Sequence, residues 1–413
     1  MPITLDEMLA ARDRRVNIQS ELLADAGPDF CLVCLTLNIA GDVKRTPMSR
    51  MLFDRGAAEF NKLGFKVAEH IEIDEPTGTE GFWLLREDAA DVKEKLEHIE
   101  EDANNPASRL YDFDVLIKNA SGIVKLSRSE RRRCLLCERQ AAECARSRSH
   151  GLDAVKLETV RLLRSFCANA LAEEAYNALI SELETTPKPG LIDMNNNGSH
   201  HDMDAALMRK SARALRPYFE DAALIGMTGG SMKELRPRGI EADREMFEAT
   251  GGVNTHQGMV YSMGLLLAGM GRSITSGTDY LENAADLARE DGERTYGATA
   301  HAVAGFPDAV YCAERLAYYK KDNNENDAAA FALMDSMARV EDTNILRRGG
   351  PEGLAFAKRS AAEISAMPES ERLKAIAKLD IEMINRNLSP GGSADMLALA
   401  YLLDKWKEMS LRL

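Results

Sequence analysis

Apolar and polar positions in the first third of the chain switch repeatedly between two periods. Residues 5–25 place Val16, Leu22 and Leu23 on one side of a helical repeat, with charges between them. Phe30–Ile39 is a short, β-rich apolar run closed by Ala40-Gly41, the pattern of a buried strand. Helical spacing returns over 49–63, and Phe65–Ile73 alternates as a half-buried strand does. Gly81–Leu85 predicts another strand and 88–101 a charged surface helix. Ser108–Ile117 follows as a strand, with Gly122-Ile123-Val124 as its hairpin return. Elements mixed in this way predict an α/β or α+β domain with a mixed sheet over residues 1–160.

Beyond Leu152 the strand signals vanish. Residues 153–184 read as one or two amphipathic helices with no Gly/Ser linker, so the halves should be joined rigidly near 155–165. Helices are then expected at about 203–219, 239–250, 255–270, 278–290, 297–321, 326–340, 351–366, 369–385 and 393–411. Residues 161–413 therefore predict an all-α domain. Its most apolar helix follows Thr250-Gly251-Gly252-Val253-Asn254-Thr255-His256-Gln257-Gly258, and Gly258 and Gly264 would admit close neighbours. The paired glycines allow a sharp turn, and Asn254 or Thr255 can cap the helix; such an N-terminus suits an anion.

Other connections carry similar chemistry. They are Thr186–Asp193, Asn195–Asp204, Arg236–Ala242, His301–Asp308, Glu341–Asn344 with Arg347-Arg348, and Leu388–Met396. Ser199 and Asp202 have the spacing of a capping box, the structural alternative for Asp202. One such loop would be architectural. Several together, each offering Asp, Asn, His, Lys or Arg, predict the rim of a polyphosphate site.

Composition narrows the class. The 413 residues are 45% hydrophobic, enough for two or three domains with real cores. A net charge of -14 argues against general nucleic-acid or anionic-membrane binding. No apolar run nears the ~20 residues that span a bilayer. Met1-Pro2-Ile3-Thr4-Leu5-Asp6 does not read as a signal peptide, and seven cysteines without an export signal suggest reduced thiols in the cytoplasm.

Two signals stand out in the first domain. Asp112 and Asp114 alternate along a strand, so both carboxylates share a face and can hold Mg2+ against a phosphate chain. The alternative is a solvent-facing pair on an edge strand. Between Lys125 and His150 lies a dense run of arginines (Arg128, Arg131, Arg132, Arg133, Arg139, Arg146, Arg148), interleaved with Cys134, Cys137 and Cys144. The arginines favour a phosphate or acidic-partner surface over a merely solvated face. Cys134, Cys137, Cys144 and His150 could bind zinc, although a second close-spaced pair is missing; reduced structural thiols are the other reading.

Over residues 1–155 the chain resembles the holo-citrate-lyase synthase family. The resemblance rests on Arg15-Val16-x-x-Gln19, Leu35–Ile39, Arg109-Leu110-x-Asp112-x-Asp114-Val115, Arg133–Cys137 and Cys144-x-Arg146-Ser147-Arg148-x-His150. It implies a nucleotidyltransferase-like activity that attaches phosphoribosyl-dephospho-CoA to a serine of the citrate lyase acyl carrier protein and releases pyrophosphate. Asp112 and Asp114 would stabilise the leaving pyrophosphate with Mg2+, and Arg109, Arg128, Arg146 and Arg148 would hold phosphates or the acidic carrier. Asn105–Ser108 and Ile39-Ala40-Gly41 depart from the family pattern in loops.

Over residues 170–413 the chain resembles triphosphoribosyl-dephospho-CoA synthase. The matching pieces are Thr186–Leu191 with Asp193, Asn197-Gly198-x-His200-x-Asp202-Met203, Gly239–Ala242, Ala249–His256, Gly305-Phe306-Pro307, Asp342-Thr343-Asn344 and Ser389–Asp395. That family transfers the triphosphoribosyl part of ATP to the ribose 2′-OH of 3′-dephospho-CoA and releases adenine. The resemblance implies Asp202 and Asp342 as Mg2+ or carbocation-stabilising groups, and His256 as base or phosphate donor. Lys188, Arg236 and Arg348 would clamp phosphates. Further binding groups would be Asp193, His200, Arg238, Glu241, Gly251, Gly252, Asn254, Thr255, Asn344 and Ser393. Gln257 and His201 stand where lysines are expected. Two alternatives remain: the same chemistry for the acyl carrier of malonate decarboxylase, or a zinc-bearing interaction module fused to an ADP-ribose-type hydrolase.

Overall fold

The first apolar run forms a strand buried almost throughout, because both faces of its sheet are covered. The computed structural model describes residues 2–292 and 297–413. By backbone contacts it divides into two units, residues 1–167 with 412–413, and residues 168–411. The first unit opens with α1 (Leu5–Ala24), started by a capping box between Thr4 and Glu7. Then come β1 (Cys31–Leu37), α2 (Pro47–Lys62), the hairpin β2 (Val67–Glu75) and β3 (Gly78–Leu85), and α3 (Ala89–Glu100). A short 3-10 turn, Pro106–Leu110, leads into the hairpin β4 (Tyr111–Asn119) and β5 (Gly122–Lys125).

The strand order is β2-β3-β1-β4-β5, and every pairing is antiparallel. The sheet is thus antiparallel where the alternation of elements suggested a mixed one. The helical crossovers explain the difference. β1 and β2, joined through α2, run parallel, but β3 lies between them; β3 and β4, joined through α3, are likewise separated by β1. This is a split β-α-β arrangement. Cys31, Val33 and Leu35 face Phe53 and Phe60 of α2 and Val92 and Leu96 of α3. Leu32 and Cys34 face Leu22 and Leu23 of α1. β2, at the sheet edge, is mostly exposed, with Ile71 and Ile73 half-buried.

After α4 (Ala141–Ser147), α5 (Leu152–Glu184) is one uninterrupted helix that contains the division between the units. The second unit continues with α6 (Ala205–Met227), α7 (Met232–Thr250), α8 (Gln257–Ser276), α9 (Tyr280–Glu290) and α10 (Gly297–Val303). It ends with α11 (Pro307–Tyr319), α12 (Glu325–Arg339), α13 (Thr343–Ser365), α14 (Glu369–Asn385) and α15 (Gly391–Ser410). Its described residues include no strand.

α6 runs on to Met227 where about 219 was expected, and three other boundaries differ from the periodicity for a local reason. α7 starts before Pro237 because a Ser231–Glu234 capping box nucleates it, so Arg236, Arg238 and Glu241 lie on a helix and not in a loop. α13 begins at Thr343, with Asp342 as its N-cap, and bends at Gly350. The stretch expected as one helix over 297–321 breaks at Phe306, whose φ is 58°, before Pro307 restarts α11.

α8 is buried on nearly all sides, as its composition predicted. Glycine makes its packing against α6 possible: a Cβ at Gly226 would lie 2.0 Å from the Ala268 carbonyl oxygen, and one at Gly271 2.2 Å from that of Ala223. Among the described residues no helix is long and apolar enough to cross a membrane. Because the obstacle at Gly226 is backbone, Gly226→Ala must push α6 from α8 and should cost about 1–3 kcal/mol. Urea denaturation of the whole chain would read this as a lower midpoint for the transition of the helical unit.

Candidate functional site

In the second unit α8, α13 and α15, with α10 and α11, begin around one cavity of about 780 Å³. Helix starts present unpaired N–H groups and partial positive charge, which favours an anionic ligand. Of the residues singled out in the sequence, His200, Asp202, Asn254, Thr255, His256, Asp342, Asn344 and Arg348 line this cavity.

Asp342 is the structural hinge of the site. Its Oδ1 accepts from the N–H groups of Asn344 (3.0 Å) and Ile345 (3.2 Å) at the start of α13. Its Oδ2 accepts from the N–H (2.9 Å) and hydroxyl (3.2 Å) of Ser393 at the start of α15. Four donors occupy the carboxylate. These contacts, one for each of the carboxylate's lone-pair sites, tie the start of α13 to the start of α15. Ser393 is wholly buried and acts through it.

The histidines are held as neutral rings. Thr255 Oγ1 donates to Ser211 Oγ (2.6 Å), which leaves the Ser211 proton for His256 Nδ1 at 2.7 Å. With the protons so placed, His256 carries its own on Nε2. Burial, and then the charge of Lys188, pushes its pKa down to about 4. Arg348 donates to His200 Nδ1 at 3.3 Å and to the Ser199 carbonyl at 2.8 Å, so His200 Nε2 is the donor to Ser389 Oγ. Burial and Arg348 lower the His200 pKa as well.

Charge in the cavity is unbalanced. Among the described residues six carboxylates line it, Glu182, Asp202, Asp308, Glu341, Asp342 and Asp395, against three guanidinium groups, Arg339, Arg347 and Arg348. Four of the acids are engaged: Glu182 by Lys188, Asp308 by Arg339, Glu341 by Lys358, and Asp342 as described. Asp202, 66% exposed, has only His200 at 4.0 Å among the described residues. Asp395, with its Oδ2 against Gly258, has no protein hydrogen-bond donor among the described residues. Burial, then the charges of Asp342 and Glu182, raises its pKa well above the ordinary aspartate range.

Several sequence candidates lie elsewhere. Lys188 is buried beneath the cavity, its ammonium on Glu182, so it is not a phosphate clamp at the surface. Asp193 closes its own loop by accepting from the N–H groups of Lys188, Asn195 and Asn196. Arg236 pairs with Asp291, and Arg238 with Asp221 and Glu245; neither these nor Glu241 lines the cavity. Gly251 ends α7 and Gly252 continues the turn at φ 88°, outside the lining. Ser199 does not cap α6, a role Asp204 takes; its hydroxyl donates to the Leu388 carbonyl. Gln257 lines the cavity and exchanges hydrogen bonds with Asn254, whereas His201 is exposed and outside it. Glu182 and Arg339, at the ends of helices, gave no sequence signal.

In the first unit, Asp112 and Asp114 share one face of β4, the face opposite Tyr111, Phe113 and Val115. They line a cavity of about 240 Å³ with Lys93, Glu100, Lys125, Arg128 and Arg132. Lys125 pairs with Asp114, and Arg132 reaches Asp112 at 3.4 Å and Glu100 at 2.9 Å. Burial raises the pKa of both Asp114 and Glu100. Arg109 braces the neighbouring loop by donating to the carbonyls of Arg133 and Cys134. Together with Arg128, Arg131 and Arg133 it lines an adjacent cleft of about 560 Å³. Arg146 and Arg148, on α4 and its C-cap, are exposed and line neither. The ligating atoms of Cys134, Cys137, Cys144 and His150 lie within 4.8 Å of one another.

The chain matches two family models in series. Residues 3–166 match that of apo-citrate lyase phosphoribosyl-dephospho-CoA transferase. Residues 168–304 and 293–412 match that of ATP:dephospho-CoA triphosphoribosyl transferase. Protein CitXG of Haemophilus influenzae is 32% identical, with 96% of this chain and 95% of the relative covered. Protein CitXG of Leuconostoc mesenteroides subsp. cremoris is 28% identical, with 97% of each covered. The 2-(5''-triphosphoribosyl)-3'-dephosphocoenzyme-A synthase of Haemophilus ducreyi is 33% identical, covering 64% of this chain and 97% of that protein. The chain therefore belongs to the family of bifunctional citrate lyase prosthetic-group enzymes, with the transferase first and the triphosphoribosyl transferase second in one polypeptide.

Proposed function

We propose that the second unit joins the triphosphoribosyl part of ATP to the 2′ oxygen of 3′-dephospho-CoA. The first unit then loads the product onto a serine of the citrate lyase acyl carrier protein in the cytoplasm. The observation that carries the first step is the convergence of widely separated loops on one 780 Å³ cavity in which Asp395 is left free. In that step the bond between adenine and ribose C1′ breaks, C1′ bonds to the acceptor oxygen, and the 2′-OH proton leaves.

Asp395 is the group for that proton, since burial beside Asp342 and Glu182 strengthens its affinity for it. His256, neutral at working pH, donates from Nε2 to a phosphate or to the departing adenine. Arg347 and Arg348, on the first turns of α13, bind phosphate oxygens.

The excess of carboxylates fits a requirement for a divalent cation, because a bare triphosphate would be repelled. Asp202, which no guanidinium or ammonium engages and which is not the proton acceptor, would hold it, and hard oxygen donors suit Mg2+. Bound there, Mg2+ would neutralise phosphate oxygens. In the first unit Asp112 and Asp114 would hold Mg2+ in the same sense. Lys125, Arg128 and Arg132 would bind the pyrophosphate that the carrier serine displaces. The family match of residues 3–166 favours the citrate lyase carrier over that of malonate decarboxylase.

Purified protein with ATP, Mg2+ and dephospho-CoA should release adenine only when dephospho-CoA is present. Apo carrier added last should gain the mass of the phosphoribosyl-dephospho-CoA group. Adenine release without dephospho-CoA would instead indicate a hydrolase.

Asp395→Asn should slow adenine release at least about 100-fold while leaving carrier loading from supplied intermediate intact. Asp112→Asn should do the reverse, lowering carrier loading by about 100-fold with adenine release unchanged. Chromatography of adenine and intact mass of the carrier separate the two.

The depressed pKa of His256 also predicts an acid limb of stability. Above its unfolded value of 6.5 the neutral ring costs nothing; as pH falls toward about 4 the unfolded chain takes a proton that the native ring refuses. The loss should reach at most about 3 kcal/mol, and His200 and His301 shift in the same direction. Urea midpoints between pH 7 and 4.5 should fall less for His256→Gln than for the unsubstituted chain.

A further inference from the structure

Between Ser127 and Glu158 only Cys134 and Cys144 are buried. This arginine-rich segment therefore has almost no apolar core of its own, and something other than hydrophobic burial must hold its shape. What it has is a small antiparallel bridge, Arg133 with Gln140. Cys134 N–H donates to the Arg139 carbonyl and Ala141 N–H to that of Arg132, each at 2.8 Å. Inside this loop the Leu136 N–H points at Cys134 Sγ from 3.5 Å, a contact that would support the sulfur as a metal ligand. α4 then supplies Cys144, and the left-handed Arg148 (φ 47°) turns the chain back to deliver His150.

The four side chains converge. Cys137 Sγ lies 3.5 Å from Cys144 Sγ and 3.3 Å from His150 Nε2, and all four ligating atoms fall within 4.8 Å of one another. A tetrahedral zinc with Zn–S near 2.3 Å and Zn–N near 2.0 Å has edges of about 3.5–3.8 Å, so one ion at the centre needs only small adjustments. The spacing that looked irregular in sequence is that of a hairpin pair, a helical third ligand and a fourth past the helix cap. A disulfide accounts for the arrangement less well: it would join two thiols and leave the third, with the histidine, unused.

We propose that Cys134, Cys137, Cys144 and His150 bind one Zn2+ in a closed structural site. Binding releases the thiol protons, and the Arg139 guanidinium beside Cys137 offsets the net negative charge of three thiolates on one ion. The site fixes the loop whose carbonyls at Arg133 and Cys134 hold Arg109, and with it the 560 Å³ arginine cleft, which Cys134 and Cys137 themselves line. Four arginines and four glutamates line that cleft, so zinc would act on carrier loading by fixing where these side chains stand and not through chemistry. This last link rests on the transferase reading of the first unit; the metal site does not.

The test uses the full chain purified without chelator, with metal measured by mass spectrometry. The expected content is about one zinc per chain. Cys137→Ser combined with His150→Ala should reduce it at least tenfold. Because that variant can fail to fold, Co2+ exchanged into the unsubstituted chain gives a second reading. Tetrahedral thiolate coordination shows as intense visible absorption. A chain free of zinc that also gives no such spectrum, or a Cys137–Cys144 disulfide found by mass, overturns the site. Zinc removal followed by dialysis into Mg2+ should lower carrier loading at least tenfold and leave adenine release unchanged; equal loading with and without zinc overturns the positioning role. A zinc-bearing chain that never loads the carrier would sink the transferase reading and leave the metal site standing.

Discussion

One carboxylate holds two helix starts together. Asp342 accepts from the first turn of α13 and from Ser393 at the first turn of α15, and the cavity walls depend on that junction. A buried carboxylate that satisfies four donors is worth its desolvation only where the donors are otherwise orphaned, as they are at helix N-termini. The geometry has a chemical consequence. With Asp342 saturated, its neighbour Asp395 is one of two cavity acids that no cation of the described residues engages, and Asp342 raises its proton affinity. A fixed charge beside a free one is a physical way to tune a general base.

The same division of labour recurs around the cavity. Ser211 and Thr255 set the tautomer of His256, and Arg348 and Ser389 set that of His200. Neither ring needs to change charge at neutral pH, because burial keeps both neutral. Close packing of α6 on α8 through Gly226 and Gly271 anchors the far end of α8, whose first turns, Gln257 to Ser262, line the cavity. In the first unit charge replaces packing wherever packing is thin. The split sheet is buried on both faces, whereas the arginine-rich segment beyond β5 is held by ion pairs to Glu100 and Glu101, by a hydrogen bond from Ser129 to Glu97 and by its cysteine and histidine cluster.

Much of this was legible from the chain itself. Strict alternation placed Asp112 and Asp114 on one face of a strand, and an unbroken apolar run marked β1 as covered on both sides, because side-chain direction in a strand follows from sequence position alone. The all-helical character of the second unit and the burial of α8 followed from periodicity in the same way. Family resemblance carried the function, since long ordered motifs specify more than any single loop.

Other features were decided only in three dimensions. Strand order depends on which strand enters between two others, so no local pattern could separate an antiparallel sheet from a mixed one. Arg236 and Arg238 looked like loop cations until a capping box upstream made them helical and paired them with Asp291, Asp221 and Glu245. Lys188 looked like a clamp until it was found beneath Glu182. Composition and period determined the elements, their burial and the presence of reactive groups. Which carboxylate is free, which cation is already spent and which thiols meet depended on partners far away in sequence, and only the folded chain brings those together.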